Sequence, residues 1–249
     1  MKFNNKNIEI GENVKIGKNV RIGDNTVIYD NVILDDNVII SNNCVIGEPA
    51  NSYYYDVYYK NKETYVGKGS LIRSHAIIYA GSSFGDNFNT GHRVVIRENS
   101  KFGINCQVGT LGDVQGNVIV GDYCKMHSSV FICDFSTIGN YVFIYANTAL
   151  TNDAKPPSNS LLGPTIKDYS VIAVHCVILP GITIGENCLV GANSLVSKNL
   201  PDFSFAAGTP AKIIRDVREG EGKYPWMYNF ERGMPWQGIG FEEWKKKLK

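Results

Sequence analysis

Although the 249-residue sequence holds six cysteines, no two of them are spaced Cys-x-x-Cys, which excludes the usual zinc-finger and zinc-ribbon patterns. It has no uninterrupted apolar run of about 18 residues, so no membrane-spanning helix is expected. The start, MKFNNKNIEI, has no apolar stretch, so no signal peptide is expected either. Charge of one sign is also lacking. The formal net charge is +1, which offers no electrostatic reason for binding nucleic acid. The short basic end WKKKLK reads as a solvated helix terminus.

What is present is a beat. Ile10, Ile16, Ile22, Ile28, Leu34, Ile40 and Ile46 follow one another at six-residue intervals. The beat resumes at Val66 and runs through Ile72, Ile78, Phe84, Thr90, Ile96, Phe102, Val108, Val114, Val120, Met126, Ile132, Ile138, Ile144 and Leu150. After a second break come Ile166, Ile172, Ile178, Ile184, Val190 and Val196, and across all three runs only Thr90 is polar. Glycine often follows the beat, as at Gly11, Gly91, Gly109 and Gly191, and suits a corner of close backbone approach. Four positions after the beat the residue is usually small or β-branched, as at Val38, Ala76, Val94 and Thr148.

A period of six is neither the 3.6 of a helix nor simple alternation. It fits short strands joined by corners, three strands to a coil, with coils stacked about 4.8 Å apart. Cys44, Cys106, Cys124, Cys176 and Cys188 fall on the small inward position and act there as buried hydrophobes, while Cys133 follows a beat residue and has no assigned role. A reducing, cytoplasmic setting follows as an expectation.

This pattern resembles the hexapeptide-repeat family, over roughly residues 8 to 200. The resemblance implies an all-β fold: a left-handed parallel β-helix with projecting loops and a short C-terminal helical tail. The handedness comes from the family, since general crossover rules favour right-handed connections. The family also implies a homotrimer with sites between subunits. We divide the chain into a β-helix over 1–203, with loops near 48–65 and 151–165, and a C-terminal extension over 204–249 with a short helix in FEEWKKKLK.

The first break, EPANSYYYDVYYKNKETY, is either a loop leaving the helix or a degenerate coil; its tyrosines suit ligand stacking or subunit contact. The second, TNDAKPPSNSLLGPT, reads as a projecting loop. The aromatic stretch YPWMYNFERGMPWQGIG is expected to pack along the helix or on a neighbouring subunit.

Grouping hexads in threes puts His75, His92 and His127 on one wall. His127 takes the corner slot that glycine usually fills, so its imidazole points outward, either as a general base or as a plain surface histidine. Asn147 is placed to orient it, and Asn152 and Asp153 to hold an amine. Arg97, Glu98, Asp113 and Gln115 are outward candidates for nucleotide or sugar contacts, alongside His92, or are solvated surface groups. No metal is expected: the nearest histidines, His75 and His92, are 17 apart.

Three stretches, HRVVIRENSKFGINCQVGTLGDVQGN, TNDAKPPSN and YPWMYNFERGMPWQGIGFEEW, resemble N-acetyltransferases that act on dTDP-3-amino-3,6-dideoxyhexoses. That resemblance implies acetyl-CoA as co-substrate, and places Ala173, Gly191, Ala192, Pro210 and Lys212 on its pantetheine, with Lys212 or Arg215 pairing a phosphate. His127 then takes a proton from the sugar amine, or the departing thiolate does. The alternatives are an O-acetyltransferase on serine or a simple sugar, and a non-catalytic β-solenoid scaffold.

Overall fold

The computed structural model describes residues 5–218. The short helix expected in FEEWKKKLK and the aromatic stretch before it lie outside the described residues.

Short strands, mostly of two residues, turn a corner every six residues and stack into three sheets of 10, 9 and 11 strands, parallel except for the last strand of the third. We call these faces I, II and III in chain order, starting from Glu9–Ile10, Lys15–Ile16 and Arg21–Ile22. Register follows the beat. Ile10 lies beside Ile28 on face I, Phe84 beside Phe102 on face II, and Val108 beside Met126 on face III. Each is one coil from its neighbour, so the fold is the parallel β-solenoid that the beat predicts, consistent with a left-handed helix.

The reason is local. Each strand's beat residue points inward and is covered by its counterparts one rung above and below. Ile40, Ile78, Ile96, Ile132 and Ile172 are all completely buried, whereas Ile10 and Ile16 of the first coil, covered on one side only, remain 52% and 46% exposed. Thr90 is tolerated because its Oγ1 accepts the Arg73 N–H at 2.8 Å. Beside it Phe88, filling a position that is small elsewhere, packs against Phe84 with ring centroids 4.4 Å apart.

All six cysteines are free and buried, Cys133 included. Burial pushes the Cys44 and Cys188 thiols up to about 11, so they act as small apolar groups rather than nucleophiles.

The third residue after the beat adopts a left-handed conformation in nearly every coil, with φ between 52° and 65° where it is not glycine. Asparagine fills most of these positions because its amide lowers the cost of that conformation. Asn side chains then bond up the stack, as from Asn7 to Asn25 at 3.0 Å and from Asn25 to Asn43 at 3.2 Å.

Both breaks occur at the same edge, where the chain passes from face I to face II. Val45–Glu48 on face I is followed on face II by Thr64–Val66, and Ala149–Leu150 by Thr165–Ile166. The first break is therefore an excursion, containing a short 3-10 turn at Asn51–Tyr54, and not a degenerate coil. From residue 204 the chain forms a hairpin: Ser204–Gly208 continues face III in parallel, and Ala211–Asp216 returns antiparallel to it. Among the described residues, no helix is long and apolar enough to cross a membrane.

Candidate functional site

At the edge where face III passes into face I, the first residue after the beat is in turn Arg73, Gly91, Gly109, His127, Tyr145, Ala173 and Gly191. Two successive glycines leave a notch between Arg73 and His127. The resulting groove, of about 310 Å³, is lined by Arg73, His92, Gln107, Thr110, Lys125 and His127. Glycine is required by close approach: a Cβ on Gly109 would stand 2.5 Å from the backbone of His127 and Ser128.

His127 is held by rings. Its imidazole stacks on Tyr145 at 5.0 Å and 7°, and meets the edge of Phe143 at 5.1 Å. Burial lowers its pKa from the usual 6.5, and the charge of Lys125 lowers it further. Among the described residues no carboxylate touches the ring. The group is neutral at pH 7, a proton acceptor without a carboxylate to strengthen it.

The backbone of this edge supplies donors. The second residue after each beat points its N–H along the stack, and on many rungs a side chain of the next coil caps it. On the edge between faces II and III, Ile104 is capped by Asp122 at 2.9 Å, Asp122 by Asn140 at 2.9 Å and Asn140 by Asp168 at 2.8 Å. On the edge between faces III and I, Asp24 caps Lys6, Asn42 caps Asp24 and Thr110 caps His92, with no cap, among the described residues, on Asn42 or Ser74 between them and none beyond His92. The residues that would cap the next coils are Ser128, Ala146, Val174, Ala192 and Gly208, of which four have no side-chain oxygen or nitrogen. Hence the N–H groups of Thr110, Ser128, Ala146, Val174 and Ala192 have no acceptor among the described residues. They form a column of five donors about 19 Å long at the rung spacing of about 4.8 Å. Exposed peptide groups of this kind are met by water or by a ligand. The signal for this column in the sequence is the run of positions without Asp or Asn, which the hexad grouping does not bring out.

The structure brings some of the expected residues together and separates others. His75, His92 and His127 share this edge, and so does His175 beyond the second break. Asn147 does not orient His127. Its side chain bonds His175 Nε2 at 3.0 Å, because both residues sit in the left-handed position of successive coils. Ala173, Gly191 and Ala192 lie further along the same edge as His127. Above them Thr209 Oγ1 donates to the Asn193 carbonyl at 3.0 Å, setting the hairpin turn with Pro210 at the end of the column. Lys212 pairs with Ala207 in that hairpin and is exposed, with Arg215 further along the same strand.

Arg97, Glu98, Asp113, Gln115, Asn152 and Asp153 lie elsewhere, on face I and on its edge with face II. Arg97 Nε donates to Glu98 at 2.7 Å and the guanidinium covers the Tyr79 ring at 5.0 Å. Gln115 donates to Asp113 at 2.7 Å, and the Asn152 amide to the Asp134 carbonyl at 3.4 Å. Asp153 clasps its loop. It accepts from the Ser158 N–H and hydroxyl, each at 2.7 Å, and from the Lys155 N–H at 3.0 Å. The Ser158 hydroxyl and these N–H groups hold its carboxyl below the usual range. Within one chain, face I separates this set from His127.

Residues 13–48 and 163–198 match the family described as bacterial transferase hexapeptide (six repeats). Both matched segments lie within the solenoid and carry the six-residue beat. Galactoside O-acetyltransferase of Escherichia coli (strain K12) is 35% identical over 96 residues, covering 35% of this chain and 47% of that protein. Serine acetyltransferase of Bacillus subtilis (strain 168) is 32% identical over 97 residues, covering 39% of this hexapeptide-repeat chain and 38% of that protein. A 2,3,4,5-tetrahydropyridine-2,6-dicarboxylate N-acetyltransferase of Staphylococcus aureus (strain MRSA252) is 35% identical over 83 residues, covering 33% and 34%. The matches thus span half or less of each relative's length. Among solved structures, an Arabidopsis UDP-N-acetylglucosamine acyltransferase superposes with a TM-score of 0.66 at 18% identity, covering 90% of this chain and 79% of that one, which bears on the fold alone.

Proposed function

We propose that this hexapeptide-repeat protein is an acetyl-CoA-dependent N-acetyltransferase that acts on the amine of a nucleotide-linked amino sugar. The substrate class follows from the resemblance to enzymes of dTDP-3-amino-3,6-dideoxyhexoses. The observation that carries an amine acceptor is the state of His127, neutral and unsupported by any carboxylate among the described residues. A sugar hydroxyl needs a strengthened base before it can attack. A neutral amine attacks unaided and must only lose a proton afterwards.

In this reading the pantetheine lies along the donor column, its amide carbonyls on the N–H groups of Val174 and Ala192, near Ala173, Gly191 and Pro210. Lys212 or Arg215 meets a phosphate. The amine nitrogen attacks the thioester carbon and a C–N bond forms. The carbonyl oxygen, now an oxyanion, takes a hydrogen bond from the N–H of Ser128 or a neighbour in the column. The C–S bond then breaks, and the proton leaves nitrogen for His127 or for the departing thiolate.

The protein works as a homotrimer in the cytoplasm. Three-fold assembly sets the face I–II edge of one copy, with Arg97, Glu98, Asp113, Gln115, Asn152 and Asp153, against the His127 edge of the next. His92 shares the groove and faces the sugar. Face I no longer separates the two sets. Thiol release from acetyl-CoA, followed with a panel of dTDP-amino sugars, serine and simple sugars, tests the reading. Turnover with serine or a galactoside and none with any amino sugar overturns it. A monomeric mass in solution overturns the shared site.

A further inference from the structure

The tyrosine-rich excursion encloses a second cavity, of about 420 Å³, that acyl transfer does not use. It is bounded by the first coils of the face I–II edge, at Glu12, Tyr29 and Asp30, and by Tyr53, Tyr59 and Asn61 of the loop. Along the stack it lies about five rungs, or about 24 Å, from His127.

The cavity is preformed, because the loop is tied to the coils. Asn31 Nδ2 donates to the Asn61 carbonyl at 2.8 Å, and Asn61 Nδ2 to the Gly47 carbonyl at 2.7 Å. The Tyr59 hydroxyl donates to Asn61 Oδ1 at 2.9 Å and accepts from the Ala50 N–H at 3.1 Å. These bonds commit Tyr59 and Asn61 to structure and leave the tyrosine rings as a wall. Tyr53 meets Tyr29 edge-on at 6.5 Å and Tyr59 at 5.7 Å. Beside Tyr29 in the stack is Gly11, so no side chain covers the ring there.

The lining also carries acceptors. Asp30 Oδ1 takes the Glu12 N–H at 2.7 Å, which leaves Oδ2 unused in this bond, next to the exposed Glu12 carboxylate. Against these two carboxylates stands one cation among the lining residues, Lys60. That balance disfavours a phosphate-bearing ligand. Aromatic rings and carboxylate oxygens lining one cavity match a sugar ring: its C–H face lies on the tyrosines and its hydroxyls donate to the carboxylates. We propose that this cavity binds an uncharged hexopyranose unit, at a site distinct from the His127 groove.

Saturation-transfer NMR with methyl hexopyranosides, without acetyl-CoA, tests this independently of the enzymatic reading. The expected result is transfer to ring C–H protons, lost in Tyr53→Ala and weakened at least threefold in Asp30→Asn. The amide of the Asp30→Asn variant keeps the oxygen that caps Glu12, so a folding defect is not expected, and thermal melts check it. Tyr53→Ala is expected to keep wild-type kcat for acetyl transfer. No transfer with any pyranoside, transfer that survives Tyr53→Ala, or binding of tetramethylammonium alone overturns the proposal. A fall in kcat on Tyr53→Ala also overturns it, by making the cavity part of the acyl-transfer site.

Discussion

Asn147 and His175 are 28 residues apart and hydrogen bonded at 3.0 Å, not 18 apart as coil neighbours are where no loop intervenes. The second loop accounts for the extra ten. Since this bond takes the Asn147 amide away from His127, Asn147→Ala is expected to change kcat less than twofold. A steady-state assay in which the variant loses tenfold or more would return Asn147 to the chemistry.

His127 has its pKa lowered, first by burial and then by Lys125. The base form therefore persists below pH 6.5. If His127 takes the proton, kcat/KM rises with pH through an ionisation below 6.5 and is flat by pH 7. Lys125→Met moves that ionisation upward, and His127→Ala abolishes it and lowers kcat more than tenfold. If the thiolate takes the proton, His127→Ala has a modest effect, and an unchanged rate removes the residue from the mechanism. The same shift has a stability consequence. The unfolded chain binds this proton more tightly, so His127 stabilises the fold above its unfolded pKa and that contribution is lost as pH falls through the lowered one.

The open donor column gives a prediction of opposite signs. Ala146→Asn installs a cap on the Ser128 N–H like the one Asn140 places on Asp122. The fold is expected to hold or gain stability in a thermal melt, while KM for acetyl-CoA rises about three- to tenfold, the worth of one neutral hydrogen bond. A variant that binds acetyl-CoA as wild type does would show that the donor is not used.

Leu111 sits in the left-handed position at φ 59° and is 53% exposed. A branched side chain there costs about 1–2 kcal/mol, which asparagine largely avoids. Leu111→Asn is expected to raise Tm by about 2–4 °C. A lower Tm would mean that Leu111 packs against something, such as a neighbouring copy.

The prism was legible because its stability is nearest-neighbour. Each inward residue is tested against one rung above and one below, so the six-residue beat from Ile10 to Val196 carries the architecture without help from distant contacts. Thr90 reads as the one polar exception in that beat, and its hydroxyl is taken up by the Arg73 N–H. The wall shared by His75, His92 and His127 was legible for the same reason, since no break falls between Val66 and Leu150.

Sequence alone therefore determined the three-faced solenoid, the inward cysteines and the outward direction of His127. Tertiary structure decided what the loops do to phase. Both leave from the face I–II edge and return to face II, and this is why His175 rejoins the histidine edge and captures Asn147. It also decided which backbone groups stay open, because a cap belongs to the coil above the donor it serves and not to the donor's own hexad. And it placed Arg97 and Asp153 one face away from His127, a separation set by the width of a sheet that no spacing along the chain records.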